Sequence, residues 1–268
     1  MEWNSTSERL EPLAEAEFVE RLRARGTHYY DRHPFHQLMH AGELTRTQLA
    51  GWAANRFCYQ RSIPLKDAAL LSNCPDRDVR RRWIQRIHDH DGDAENPGGL
   101  ETWLLLAQGL GLSREEVLDE RHVLPGVRFA CEAYIDFCRR KPWVEAVASS
   151  LTELFAPDLM SRRIAAFEQK YAWIDPTALS YFRGRLTQAP RDSQHGLEIV
   201  VTHCRTREQQ ERALAALDFK LDVLWSLLDA VHYHYVVLAD TPEVASAANR
   251  GAPLDELAVG PKPVGARG

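Results

Sequence analysis

The chain has 268 residues, 44% hydrophobic and 26% charged, with a formal net charge of −5. Those proportions belong to a soluble globular protein. No Lys/Arg run exceeds three residues and no apolar stretch approaches the ~20 residues of a membrane span, so neither a nucleic-acid nor a membrane partner is expected.

The opening "MEWNSTSERLEPLAEAE" is acidic and polar and does not read as a signal peptide. Five scattered cysteines, Cys58, Cys74, Cys131, Cys138 and Cys204, lack C-x-x-C spacing. They read as reduced buried thiols of a cytoplasmic protein, with no disulfide framework or zinc site.

Helical period dominates from there on. "LAEAEFVERLRARGTHYY" predicts an amphipathic helix ending near Gly26. A long helix follows, capped by Thr45 and carrying Pro64 inside it. Pro75 and Asp76 open the next, which stops at Gly92. "PGGLETWLLLAQGLGLSREEVLDE" gives a helix, a glycine turn and a short capped helix, and further helices are expected over 127–140, 143–168, 177–204 and 206–238. The class is therefore all-α, a bundle of seven or more helices forming one domain over residues 1–238. Residues 239–268, rich in Ala, Gly and Pro, read as a linker-like or disordered tail.

"RIHDHDGDAENPGG" looks at first like a metal loop. Asp89, Asp91 and Asp93 alternate as in a calcium loop, but Ala94 and Leu100 stand where that loop needs Gly and Glu. His88 and His90 are two residues apart and diverge on a helix, so a zinc pair is not made. No metal is expected there.

Polar residues one turn apart on otherwise apolar helices carry more information. Arg56 and Gln60 with Lys66 beyond them, Arg86 with His90, Tyr181 with Arg185, then Glu153, Arg163 and Lys220 all interrupt apolar surroundings. Singly, each has an ordinary explanation, since Arg and Lys snorkel and Tyr fills cores. Together, several cations on neighbouring apolar helices need an anion between them to offset desolvation. A polycarboxylate suits the fork geometry of Arg.

With these residues in view, the stretches "HYYDRHPFHQLMHAGELTRTQLAGWAANRFCYQRSIPLKDAALLSNCPD", "RRWIQRIHDHDG", "ERHVLPGVRFA", "SSLTELFAP" and "FKLDVLWSLLDA" resemble the pyrroloquinoline-quinone synthase family. The likeness runs from about residue 15 to 235. It implies a heme-oxygenase-like helical bundle, normally a homodimer, with no cofactor. It also implies an activity: ring closure and an overall eight-electron oxidation of a tricarboxylate quinone precursor. O2 is the co-substrate, and pyrroloquinoline quinone (PQQ) and hydrogen peroxide are the products. A chaperone of the PQQ precursor peptide is a further partner such a chain could have.

Carried over motif by motif, the resemblance puts Tyr29, Tyr30, Arg56, Gln60, Lys66, Arg86, Tyr134, Glu153, Met160 and Arg163 around the substrate. It gives His90, Tyr181, Arg185 and Lys220 catalytic roles. His90, Tyr181 and Arg185 form the oxygen-handling trio, and His90 and Lys220 are the candidates for proton transfer. Tyr30 and Met160 depart from the family, which usually carries His at both places. Some relatives with this bundle hold two irons through Glu-x6-His and His-x3-Asp-x2-His patterns. Here those places hold Trp83 and His90, then Tyr181, Arg185 and Gln188, so a guanidinium replaces an acidic ligand. Two other readings remain at this point. One is a thiaminase II-like hydrolase using Cys131 or Cys138, the other a protein that binds and escorts the quinone without making it.

Overall fold

Caps and breakers set the element boundaries in the computed structural model, which describes residues 10–239. The helices are α1 (Glu15–Ala24), α2 (Pro34–Ala41), α3 (Arg46–Asn73), α4 (Arg77–Trp83), α5 (Gln85–Asp91), α6 (Gly98–Gly109), α7 (Arg114–Leu118), α8 (Pro125–Arg140), α9 (Trp143–Ser149), α10 (Ala156–Lys170), α11 (Ser180–His203) and α12 (Arg207–His232). Short 3-10 turns join several of them, and a π turn, Tyr233–Val237, ends the described chain. No strand occurs among the described residues, in keeping with the all-α expectation. The tail expected from residue 239 lies, beyond Ala239, outside the described residues.

α3 is the centre of the molecule. Thr45 and Gln48 form a reciprocal capping box at its start, and Pro64 sits inside it without ending it. Its buried residues include Leu49, Trp52, Asn55, Phe57, Gln60, Ile63, Lys66 and Leu70; it is enclosed on all sides over residues 49–60, while Arg61, Leu65 and Ala68 leave one stripe of its second half exposed. α8, α5 and α6 pack against it, while α12 lies on α8 and α9 and α11 lies on α10. Specific polar ties fix the register. Trp103 Nε1 donates to the Ala53 carbonyl at 2.9 Å, joining α6 to α3. The Asn55 amide donates to the carbonyls of Gly51 and His122 and accepts from Leu124 N, seating the loop before α8.

Three sequence expectations are corrected. α2 was passed over, although Pro34 stands in its first turn, the His33 side chain accepts from Phe35 N and Gly42 ends it at φ 81°. The single helix expected at 75–92 divides at Ile84 into α4 and α5. That expected over 143–168 breaks into α9, a 3-10 turn Ser150–Phe155, and α10. Proline in the first turn of α10 lacks the N–H needed to run the preceding helix through it. The break carries Glu153 inward.

All five cysteines are free and buried, as expected. Among the described residues no helix is long and apolar enough to cross a membrane.

Candidate active site

A cavity of about 50 Å³ opens among these elements, lined by Tyr29, Tyr30, Arg56, Tyr59, Ile63, His90, Thr152, Glu153, Ala156, Met160, Tyr181, Arg185 and Leu224. Eight of the residues singled out in the sequence thus share one wall: Tyr29, Tyr30, Arg56, His90, Glu153, Met160, Tyr181 and Arg185. The others stand behind it, some at one contact and some at two. Gln60 accepts from the Tyr181 hydroxyl at 2.8 Å. Lys220 and Tyr134 are reached through Tyr59, since Lys220 Nζ donates to Tyr59 Oη at 2.6 Å and sits 3.3 Å from the centroid of the Tyr134 ring. Lys66 Nζ donates to Ser150 Oγ at 2.8 Å, and Arg163 lies behind Tyr30 against His36.

The buried cations divide into two sets. Lys66, Arg86 and Arg185 have carboxylates of this chain beside them, which corrects the expectation that every cation waits for an external anion. Lys66 pairs with Asp67 at 2.5 Å. Arg86 grips Glu153 through two bonds of 2.7 and 2.6 Å, with Asp67 at 3.6 Å and Asp192 at 3.5 Å. Arg185 reaches Glu153 at 3.1 Å and Asp192 at 3.6 Å. Burial alone would raise the Glu153 pKa, but Arg86 and Arg185 outweigh it and hold the carboxyl at about 2. Glu153 is therefore engaged by its own chain rather than free for a guest.

Arg56, Arg163 and Lys220 form the second set. Among the described residues none of the three has a carboxylate partner, although they are only 7%, 1% and 1% exposed. Arg56 donates to Tyr30 Oη at 3.0 Å and lies 3.8 Å over the Tyr59 ring, with Nη1 unbonded. Arg163 donates to His36 Nε2 at 3.0 Å and lies over Trp52 and Phe182, with Nε unbonded. Burial and the charges of Lys66 and Arg56 push the Lys220 pKa well below its ordinary value. Aromatic faces offset part of the desolvation of such charges but neutralise none of it.

His90 is neutral near pH 7. Burial, followed by the charge of Arg185, lowers its pKa to about 4. Its Nδ1 lies 3.0 Å from the Arg86 carbonyl, which can only accept, so the proton is assigned to Nδ1. Nε2 is left as a lone pair with no partner among the described residues. Burial raises the Tyr181 pKa, so its phenol stays a neutral donor to Gln60. His90 supplies an acceptor, Tyr181 an O–H and Arg185 a fixed positive charge around one small space.

The loop that resembled a metal site is built otherwise. Asp89 is paired with Arg191 of α11, and Asp93 Oδ1 accepts from the amides of Glu95 and Asn96 to close a turn. The cysteine hypothesis also loses support. Contact with Cys58 and burial raise the Cys131 pKa, and burial raises that of Cys138, which disfavours the thiolate a nucleophile requires. Neither lines the cavity.

Sequence reasoning missed Tyr59, Asp67, Asp192 and His36. Tyr59 carries the nearest signal, standing one turn after Arg56 and beside Gln60. Asp67 adjoins Lys66 in sequence. Asp192 and His36 gain meaning only from residues far along the chain.

Comparison with known proteins gives the family and the fold. The TENA/THI-4/PQQC family model matches residues 19–230. A protein of Ectopseudomonas mendocina named pyrroloquinoline-quinone synthase is 57% identical over 83% of this chain and 89% of its own length. The Klebsiella pneumoniae protein of the same name is 54% identical over 84% and 90%. Among solved structures, a domain of unknown function with a heme oxygenase-like fold from Shewanella denitrificans superposes with a TM-score of 0.71 at 15% identity, covering 85% of this chain and 96% of that one. A TenA homolog from Pseudomonas syringae pv. tomato superposes at 0.64 and 12% identity, covering 85% and 99%. The fold is heme-oxygenase-like, and the chain belongs to the TENA/THI-4/PQQC family, among relatives that bear the name pyrroloquinoline-quinone synthase.

Proposed function

We propose that this protein is a pyrroloquinoline-quinone synthase, closing the ring of a tricarboxylate quinone precursor and oxidising it with O2 and no resident cofactor. The observation that carries the reading is the second cation set. Arg56 and Arg163 are buried positive groups and Lys220 a buried amine whose charge burial disfavours, none with a carboxylate partner among the described residues, beside a cavity that also holds a neutral acceptor, a phenol and a guanidinium. A guest with three carboxylates supplies the missing charge. Holding it there turns ring closure into an oriented intramolecular step, in which the C–N bond forms and the displaced protons pass to nearby bases. Lys220, with its depressed pKa, and His90 through Nε2 are the groups able to take them.

In each oxidation step the reduced ring gives up two electrons and two protons, and O2 takes both pairs and leaves as hydrogen peroxide. Negative charge growing on the oxygen is stabilised by the Arg185 guanidinium, and by the Tyr181 hydroxyl once it turns from Gln60. At about 50 Å³ the cavity holds little more than a water, against the ~300–1,000 Å³ of ordinary ligand sites, so the lining has to part for the guest.

The test is to mix protein and precursor anaerobically and then admit oxygen. Quinone absorbance should grow in step with O2 uptake and peroxide release. A spectrum that changes on binding and then stays fixed would leave an escort protein instead.

A further inference from the structure

Asp192 stands outside every role given so far. It lies on α11 two turns beyond Arg185, on the same helix face, and is 6% exposed. Its Oδ2 is 3.5 Å from Arg86 Nη1 and 3.6 Å from Arg185 Nη1. The same two guanidiniums share Glu153 on their other side, so Arg86, Glu153, Arg185 and Asp192 close a ring of alternating charge. Asp192 Oδ1 faces outward and accepts from Arg191 Nε at 3.0 Å and Nη2 at 2.7 Å. Arg191 is half exposed and also holds Asp89 of α5.

The ring has a consequence for charge. Lys66, Arg86 and Arg185 on one side and Asp67, Glu153 and Asp192 on the other balance three against three. Removing Asp192 leaves Arg185 one carboxylate to lean on instead of two, so its guanidinium is held from the Glu153 side alone. It would then lose its fixed place on the cavity wall it shares with His90, Tyr181 and Glu153.

We propose that Asp192 is a positioning residue for the oxygen step, fixing the Arg185 guanidinium against the cavity through the ring it closes with Arg86 and Glu153. This rests on the synthase reading. Asp192 does not line the cavity, so it acts through Arg185 and not on the substrate.

The test compares Asp192→Asn, which keeps the shape and removes the charge, with Asp192→Glu and the parent protein. Steady-state O2 uptake gives kcat/KM for oxygen, and titration with PQQ gives product affinity. The Asn variant should lose ~10–100-fold in kcat/KM for oxygen, the range seen when a supporting carboxylate is removed from behind an active-site group. Its PQQ affinity should change less than ~3-fold, because the uncompensated cations lie apart from the ring. The Glu variant should recover most of the loss. An Asn variant with parental oxygen kinetics, or one losing oxygen kinetics and PQQ affinity in equal proportion, overturns the proposal. If Asp192→Asn does not fold, Arg191→Gln frees the outer oxygen of Asp192 while sparing the ring, and should give a smaller loss of the same kind. Unchanged oxygen kinetics there overturn it. Failure of the parent itself to consume O2 with the precursor refutes the synthase reading instead.

Discussion

His90 shows how a single contact sets the chemistry of a side chain. The Arg86 carbonyl takes the Nδ1 proton and burial keeps the ring neutral, so Nε2 remains an acceptor through the whole neutral range. The acid limb of the rate profile contributed by His90 should therefore fall near pH 4 rather than near 6.5, and His90→Asn should remove it. A limb near 6.5 that vanishes in that variant would show an exposed, ordinary histidine. Arg185 makes the opposite contribution, a charge that never titrates. Arg185→Ala should still bind PQQ but lose ~10²–10³ in oxygen consumption, as when one preorganised donor is removed from developing negative charge. Residues such as Arg56, Lys66, Arg86 and Lys220 were legible in the sequence because a charge in an apolar helix stands out. Their partners were not. Asp192 lies more than a hundred positions from Arg86, and nothing local distinguishes a carboxylate that closes a buried ring from one that faces water.

At the scale of elements, caps were the most legible feature. The Thr45 cap, the helix start at Asp76 and the short capped helix after the glycine turn were each expected, and each is formed, with Thr45 and Ser113 completing capping boxes. Thr45→Ala should cost about 1 kcal/mol, read as a fall in unfolding free energy with unchanged denaturant dependence. Breaks were less legible. Periodicity across 143–168 is continuous, so only the backbone chemistry of proline divides it, and the inward turn of Glu153 follows from that division. Gly51 was equally silent. A Cβ there would come within 2.3 Å of the Tyr235 ring, because the π turn at 233–237 lies directly on α3. Gly51→Ala should speed amide exchange over 233–237 while leaving α3 protected. Adding Tyr235→Ala should relieve the clash, and exchange confined to other segments would refute the contact.

For the whole molecule, the all-α class followed from period alone, whereas the balance of buried charge required the fold. That balance makes stability depend on pH in a definite direction. His40, His90 and His195 each have pKa values lowered by burial to about 4. The unfolded chain binds protons at these sites near 6.5 and the folded chain does not, so their contribution to stability is full above 6.5 and falls as pH drops toward 4. Glu153, held at about 2, adds to the decline only at its acid end, its contribution being lost progressively as pH falls from the ordinary value of 4.5 toward 2. Urea unfolding from pH 7.5 to 4 should show a monotonic decline beginning near 6.5, and a flat profile would contradict the burial of these rings.

Burial lowers the pKa of both Arg163 and Lys220, and repulsion among the buried cations, Arg56 included, adds to it. An anionic occupant would relieve that push. At a free concentration one hundred times its dissociation constant, such an occupant adds about 2.7 kcal/mol to the folded state by mass action alone. On the proposed function, the amount of folded protein would then follow the supply of the molecule it works on.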